Sequence, residues 1–288
     1  MNIVTKVSAT VVVLLMLPGL TLAQWNASVE ENAALPYWSA FSQLQDAGIT
    51  DQQANKLNAL LDGTAAYDDS TYKDLLAKNA LPLQIMTRAT SIPRCEWGLD
   101  YTLKENLPVD YARKALVLGR LNVLNTFHLA KAGDTEGAVR SLVAGLKFSR
   151  DVANGGSLFA AIVAKVLLVH HLRAATELAH LEQLSIAQRS ELEKAVTQLG
   201  PSGVDWQVAI RREIALLNTQ PWPTSASQAS VMQAYIRAVD DPSRLESVEQ
   251  LTSALPQALR SLIPNPKQVV QQKQDLDAQL LQARRVLQ

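Results

Sequence analysis

The chain has 288 residues, 48% of them hydrophobic, with 27 basic and 27 acidic side chains, a balance that fits a buried core and excludes a disordered tail or a collagen-like repeat. Equal charge totals supply no global field for holding a nucleic-acid backbone, so nucleic acid is excluded as a partner class. One cysteine in the whole chain excludes an intramolecular disulfide framework and every multi-cysteine zinc or iron–sulfur site.

The N-terminus carries Lys6, an apolar run from Val7 to Leu17, the helix-breaking pair Pro18-Gly19, and small residues up to Ala23. That is the order of a secretory signal peptide. Cleavage near Ala23 is expected, with residues 24–288 forming one α-helical domain in the periplasm or the medium. The apolar run stops short of the ~20 residues a bilayer span needs. The most apolar later window, Leu158 to Val169, contains Lys165 and leads into His170, His171 and Arg173, so no membrane span is expected after signal removal.

Helical punctuation then recurs in chain order, and strand alternation with Asn-Gly or Asp-Gly hairpins is missing. The predicted class is all-α, a helical bundle or a short right-handed α-solenoid of antiparallel helix pairs. Asn32 is a cap for a helix carrying Tyr37, Trp38, Phe41 and Leu44. Thr50-Asp-Gln-Gln53 is a capping box before Leu57, Leu60 and Leu61, with Gly63 as the stop. A helix from about Ser70 to Thr90 contains Pro82, which predicts a kink or two pieces. Pro108 leads a helix to Ala132, Gly133 stops it, and Asp134 caps the next, Thr135 to Ala153. Gly155-Gly156 ends that one and Ser157 caps a third, apolar nearly all round, which must therefore be surrounded by other helices. Further helices are expected from Ser185 to Gly200, from Asp205 to Asn218, and after Asn265-Pro266. In the last, Val269, Leu276, Leu280, Ala283 and Leu287 form a seam for a neighbouring helix, offering a route to self-association. Between them the 219–229 stretch, with Pro221, Trp222 and Pro223, reads as a stiff loop and a sub-boundary.

Two stretches carry resemblances. Ala130-Lys-Ala-Gly133-Asp134 followed by Ala138, Leu142, Gly145 and Leu146 resembles the turn and second helix of a tetratricopeptide-type hairpin, where small side chains let two helix axes approach. Asn122 and Asn125 stand where that family favours Trp and Leu, and no second copy follows at a 34-residue period. Cys95-Glu-Trp-Gly-Leu-Asp100, with the Asn32…Trp38…Phe41 opening, is similar to a family of exported, all-helical bacterial proteins. That resemblance implies export and fold and brings no reaction with it.

Candidate chemistry is sparse. Cys95 is a possible reactive thiol only if a nearby cation lowers its pKa, and a core residue beside Trp97 otherwise. His170, Arg173, Glu177 and His180 would share one helix side over ~15 Å, the basis for an alternative reading as a metal-dependent enzyme or hydrolase, or for an anion site. A di-metal bundle would need a second Glu-x-x-His, which the chain lacks. Adjacent carboxylates at Glu30-Glu31, Asp68-Asp69 and Asp240-Asp241 read as caps and solvated ends before they read as acid/base pairs. No nucleophile elbow, phosphate-binding glycine loop, dinucleotide fingerprint or zinc-protease motif is present, and no motif asks for a cofactor. The leading reading is an exported helical binding or scaffold module whose partner is a protein or glycan of the cell envelope, with Trp222, held between two prolines, as its contact residue.

Overall fold

The computed structural model describes residues 32–45, 50–106, 110–180, 184–217 and 222–288. The signal-peptide segment, Trp25, Glu30-Glu31, Pro108 and Pro221 lie outside them. Among the described residues every regular element is helical and no strand occurs, so the chain is all-α.

The helices form where the caps predict. Helix α1 is Ala34–Gln43 and α2 is Asp51–Leu61. At α2, Thr50 Oγ1 accepts from the Gln53 amide at 3.2 Å while Gln53 Oε1 accepts from the Thr50 amide at 3.0 Å, a complete capping box. Asn32 does more than cap. Its Oδ1 accepts from the Ala34 amide at 3.1 Å and from the Glu96 amide at 2.9 Å, and its Nδ2 donates to the Glu96 carbonyl, which ties the chain's first described residue to the Cys95 segment.

The Pro82 stretch is two helices, α3 (Asp69–Lys78) and α4 (Ala80–Ala89), parted at Asn79. Proline at the third position of α4 lacks the N–H that would have continued α3. The buried Asn79 side chain holds the break, accepting from the Gln45 amide at 3.0 Å and donating to the Leu75 carbonyl at 3.0 Å.

Three long helices make the centre: α5 (Asp110–Lys131), α6 (Thr135–Ala153) and α7 (Leu158–Ala179). The α5–α6 turn uses Gly133 at φ +82°, a conformation that costs a residue with a Cβ, and Asp134 then accepts from the Gly137 amide at 2.8 Å. α7 has a length and hydropathy compatible with crossing a membrane, yet it lies among helices of its own chain and most of its side chains are buried. That is the surrounded position its sequence demands.

Close approach of α5, α6 and α7 depends on two glycines. A Cβ at Gly119 would lie 2.5 Å from Leu167 Cδ2, and one at Gly145 would lie 2.2 Å from His171 Nε2. Polar groups fill the seam. His171 Nε2 is 3.0 Å from Asn122 Oδ1 and its Nδ1 is 2.8 Å from the Leu167 carbonyl, while Ser141 Oγ meets Asn122, Asn125 and Thr126. Asn122 and Asn125, which depart from the tetratricopeptide pattern, are thus members of a buried hydrogen-bonded network in which each finds a partner.

Beyond the centre come α8 (Ile186–Thr197), α9 (Trp206–Leu216), α10 (Ser225–Asp240), α11 (Leu245–Ser253), the single turn α12 (Gln257–Arg260) and α13 (Pro266–Leu287). The loop expected through residue 229 is helical from Ser225 onward. Thr224 Oγ1 accepts from the Ser227 amide at 3.0 Å, and Val231, Tyr235, Ala238 and Val239 give α10 a buried face. The α13 seam is buried, and its helix packs on α7, α8 and α10 of the same chain.

Candidate functional site

Two concavities carry polar groups of interest, one at the N-terminal ends of α7 and α9 and one beside the second half of α7.

The larger, about 790 Å³, lies between the α6–α7 turn, the 201–208 segment, the end of α10 and Lys273 of α13. Its size falls within the range of small-ligand sites. Arg150, Arg212 and Lys273 stand in its wall with Asp205 and Asp240. Local backbone geometry shapes it. Gly156, at φ +70°, has Arg212 Nη1 only 1.8 Å from where a Cβ would be, so the guanidinium can cross the turn only over a glycine. Arg212 is then fixed 5.2 Å from the centre of the Tyr101 ring and donates to Tyr101 Oη at 3.1 Å. Asp205 caps α9, accepting from the Val208 amide at 2.9 Å. Trp206 also lines this cleft, buried, and its indole N–H has no hydrogen-bond partner among the described residues. Buried indole N–H groups are ordinarily satisfied.

The smaller concavity, about 310 Å³, is where the end of α2 meets α5 and α7. Half of the predicted stripe is in it. His170 and Arg173 line it, joined by Arg120 of α5 and by Lys165, while Glu177 and His180 are exposed and outside its wall. Arg173 donates to the Leu61 carbonyl at 3.0 Å and approaches Asp62 at 3.5 Å, which places a cation on the C-terminal end of α2, where the helix dipole favours it. His170 is held well below its ordinary range, at about 3, by burial first and then by Arg120 and its other cationic neighbours. A ring so weakly basic is neutral at pH 7 and is a poor general base. Asp62 is the cavity's one lining carboxylate and already faces Arg173. Among the described residues no group of three or more His, Cys, Asp or Glu side chains is placed to hold a metal. Three cations around one imidazole would also repel a metal ion electrostatically. Arg120 is the residue that sequence reading missed, because an isolated arginine on an amphipathic helix carries no local signal.

The remaining candidates are placed as follows. Cys95 is 5% exposed, its thiol directed to the Asp151 carbonyl at 3.9 Å. Burial, and then Asp151, push that thiol far up, so it stays protonated. Its surroundings are those of core: Trp97 stacks on Phe41 and Tyr37, lies 4.5 Å from Tyr111 between ring centres, and donates from Nε1 to the Asp151 carbonyl at 2.7 Å. Asp151 itself is buried and satisfied by Tyr37 Oη at 2.9 Å and by Lys147. Trp222 is half-buried and donates to the Leu217 carbonyl at 3.3 Å, leaving part of its ring at the surface. Trp38 is 39% exposed at the edge of the aromatic cluster. Of the acidic pairs, Asp68 and Asp241 cap helical turns, Asp69 pairs with His128, and Asp240 accepts from Gln207 at 2.9 Å. These are structural uses of carboxylates.

No protein-family model matches the chain, and comparison with curated proteins and with solved structures gives no match either.

Proposed function

We propose that this chain is an exported helical binding or scaffold module of the bacterial envelope, tetratricopeptide-like in its α5–α6 hairpin, which recognises a protein or glycan and does not transform it. The observation that carries the reading is the 790 Å³ cleft beside α9, with charges of both signs and a buried indole N–H left without a partner. Mixed charge around one orphaned donor suits a polar ligand with both donors and acceptors, such as a peptide or a sugar chain. The half-exposed Trp222 supports a further contact. Export rests on the Lys6 to Ala23 segment of the sequence.

Envelope peptides and wall glycans retained on the immobilised protein test this. We expect a defined species to be retained by the wild type and by a Trp38→Ala control, and to be lost from a chain carrying Asp240→Ala with Lys273→Ala. Equal retention by all three proteins, or none by the wild type, overturns it. N-terminal sequencing of the protein from a periplasmic extract is expected to begin at Gln24; an uncut Met1 terminus overturns export.

A further inference from the structure

We propose that the concavity between the end of α2, α5 and α7 is a binding site for a phosphate group, free or carried on a larger molecule. It is separate from the cleft beside α9 and stands or falls independently of it.

Two residues that line this cavity each carry an orphaned polar atom. His170 is 8% exposed, and among the described residues neither its Nδ1 nor the buried Nε of Arg120 has a hydrogen-bond partner. Among the described residues Arg120 has no ion pair at all. Leaving such groups unsatisfied away from water costs free energy, and a cation more than a neutral donor. The surrounding charge points to what would satisfy them. Arg120, Lys165 and Arg173 bring three positive charges to the wall. The two that are paired are paired at long range, Lys165 at 3.4 Å from Asp275 and Arg173 at 3.5 Å from Asp62. Asp62 and Asp275 answer two of these cations and leave Arg120 as the one without a carboxylate partner among the described residues, a charge that an anion in the cavity would neutralise.

Shape narrows the class. Polar residues of three elements line it: Asn58 of α2, Arg120 of α5, and Lys165, His170 and Arg173 of α7. Groups arriving from three elements suit an acceptor with oxygens spread tetrahedrally better than a planar carboxylate. Arginine is the side chain whose fork best matches phosphate oxygens. Burial first, and then the same cations, keep the His170 ring neutral, so it contributes one N–H or one lone pair without adding charge. Leu61 and the valines Val166 and Val169 supply apolar wall that lowers local screening of these charges.

Isothermal titration of the full chain with sodium phosphate, at an ionic strength fixed with sodium chloride, tests the proposal. Saturable one-to-one binding is expected, at least tenfold weaker in Arg120→Gln and unchanged in Arg113→Gln, which removes an exposed cation from the same helix. No saturable heat, or equal binding by Arg120→Gln, overturns it. Should Arg120→Gln fail to fold, the imidazole resonances of the wild type decide: phosphate should move the His170 signals and leave those of the exposed His180 in place, and static His170 signals overturn the site. Titration with O-phosphoserine separates the two sources, since binding comparable to phosphate assigns a phosphoryl group on a larger molecule and loss of binding assigns the free ion.

Discussion

Individual side chains here are held by how little room they have. The Cys95 thiol has the most testable consequence: buried, next to Asp151, and kept protonated, it should react with a thiol reagent at pH 8 several orders of magnitude more slowly in the folded chain than in urea. Fast labelling of the native protein would remove it from the core. Gly145 and Gly133 separate two reasons for a glycine. At Gly145 a methyl group would meet His171 and Asn122 at 2.2 and 2.3 Å, so Gly145→Ala is expected to cost about 2–3 kcal/mol by overpacking. At Gly133 nothing lies within 4 Å, and the cost of Gly133→Ala is the φ of +82° alone, about 1 kcal/mol. Urea denaturation of the two variants measures the difference; a larger loss at Gly133 would contradict the contact geometry.

At the scale of elements, what was legible in the sequence was whatever is encoded within four or five residues. Thr50, Asp134, Ser157, Ser185, Asp205 and Asn265 each stand where a helix begins, because a cap is a local hydrogen bond between a side chain and an amide three residues on. Helix α10 was missed for the converse reason. Its first turn is Ser-Ala-Ser, residues of loop-like composition, and only the later Val231 and Tyr235, docked in the core, make it helical. The pairings of Asn79 with Gln45, of Asn122 with Ser141 and of His171 with Asn122 were not legible either, since each joins separate elements of the chain. Half of the polar stripe on α7 was anticipated, yet its companion Arg120 comes from α5, and the cavity that joins them exists only once both helices pack. The α3–α4 break gives the matching prediction. Asn79→Ala leaves the Gln45 amide without its present partner and takes one of two donors from the Leu75 carbonyl, and should lower stability by about 1–2 kcal/mol. A loss under half a kilocalorie per mole would mean that Pro82 alone sets the break.

For the whole molecule, buried titratable groups set an acid limit. His170 and His171 are pushed down to about 3 and about 4, burial being the largest cause for both. Unfolded, both titrate near 6.5, so below that pH the unfolded chain takes up protons that the folded chain refuses, and stability rises with pH through this window. The histidine contribution is complete above about pH 7 and falls toward pH 4 by up to ~1.4 kcal/mol per unit for each ring. Asp151 and Glu213, whose carboxyls are raised by burial, act in the opposite sense. Urea midpoints should therefore be clearly lower at pH 5 than at pH 7.5. A flat profile would show the carboxylates cancelling the histidines.

The tie between Tyr37 and Asp151 spans 114 positions of sequence. Because synthesis runs from the N-terminus, helix α1 meets α4 and Trp97 first, whereas its Tyr37 waits for Phe148 and Asp151 of α6. Its aromatic cluster is therefore closed in two steps, a shorter-range one with Trp97 and a longer-range one with Phe148. Native topology thus makes Asp151 the late anchor of a cluster whose Tyr37, Phe41 and Trp97 lie nearer one another in the chain.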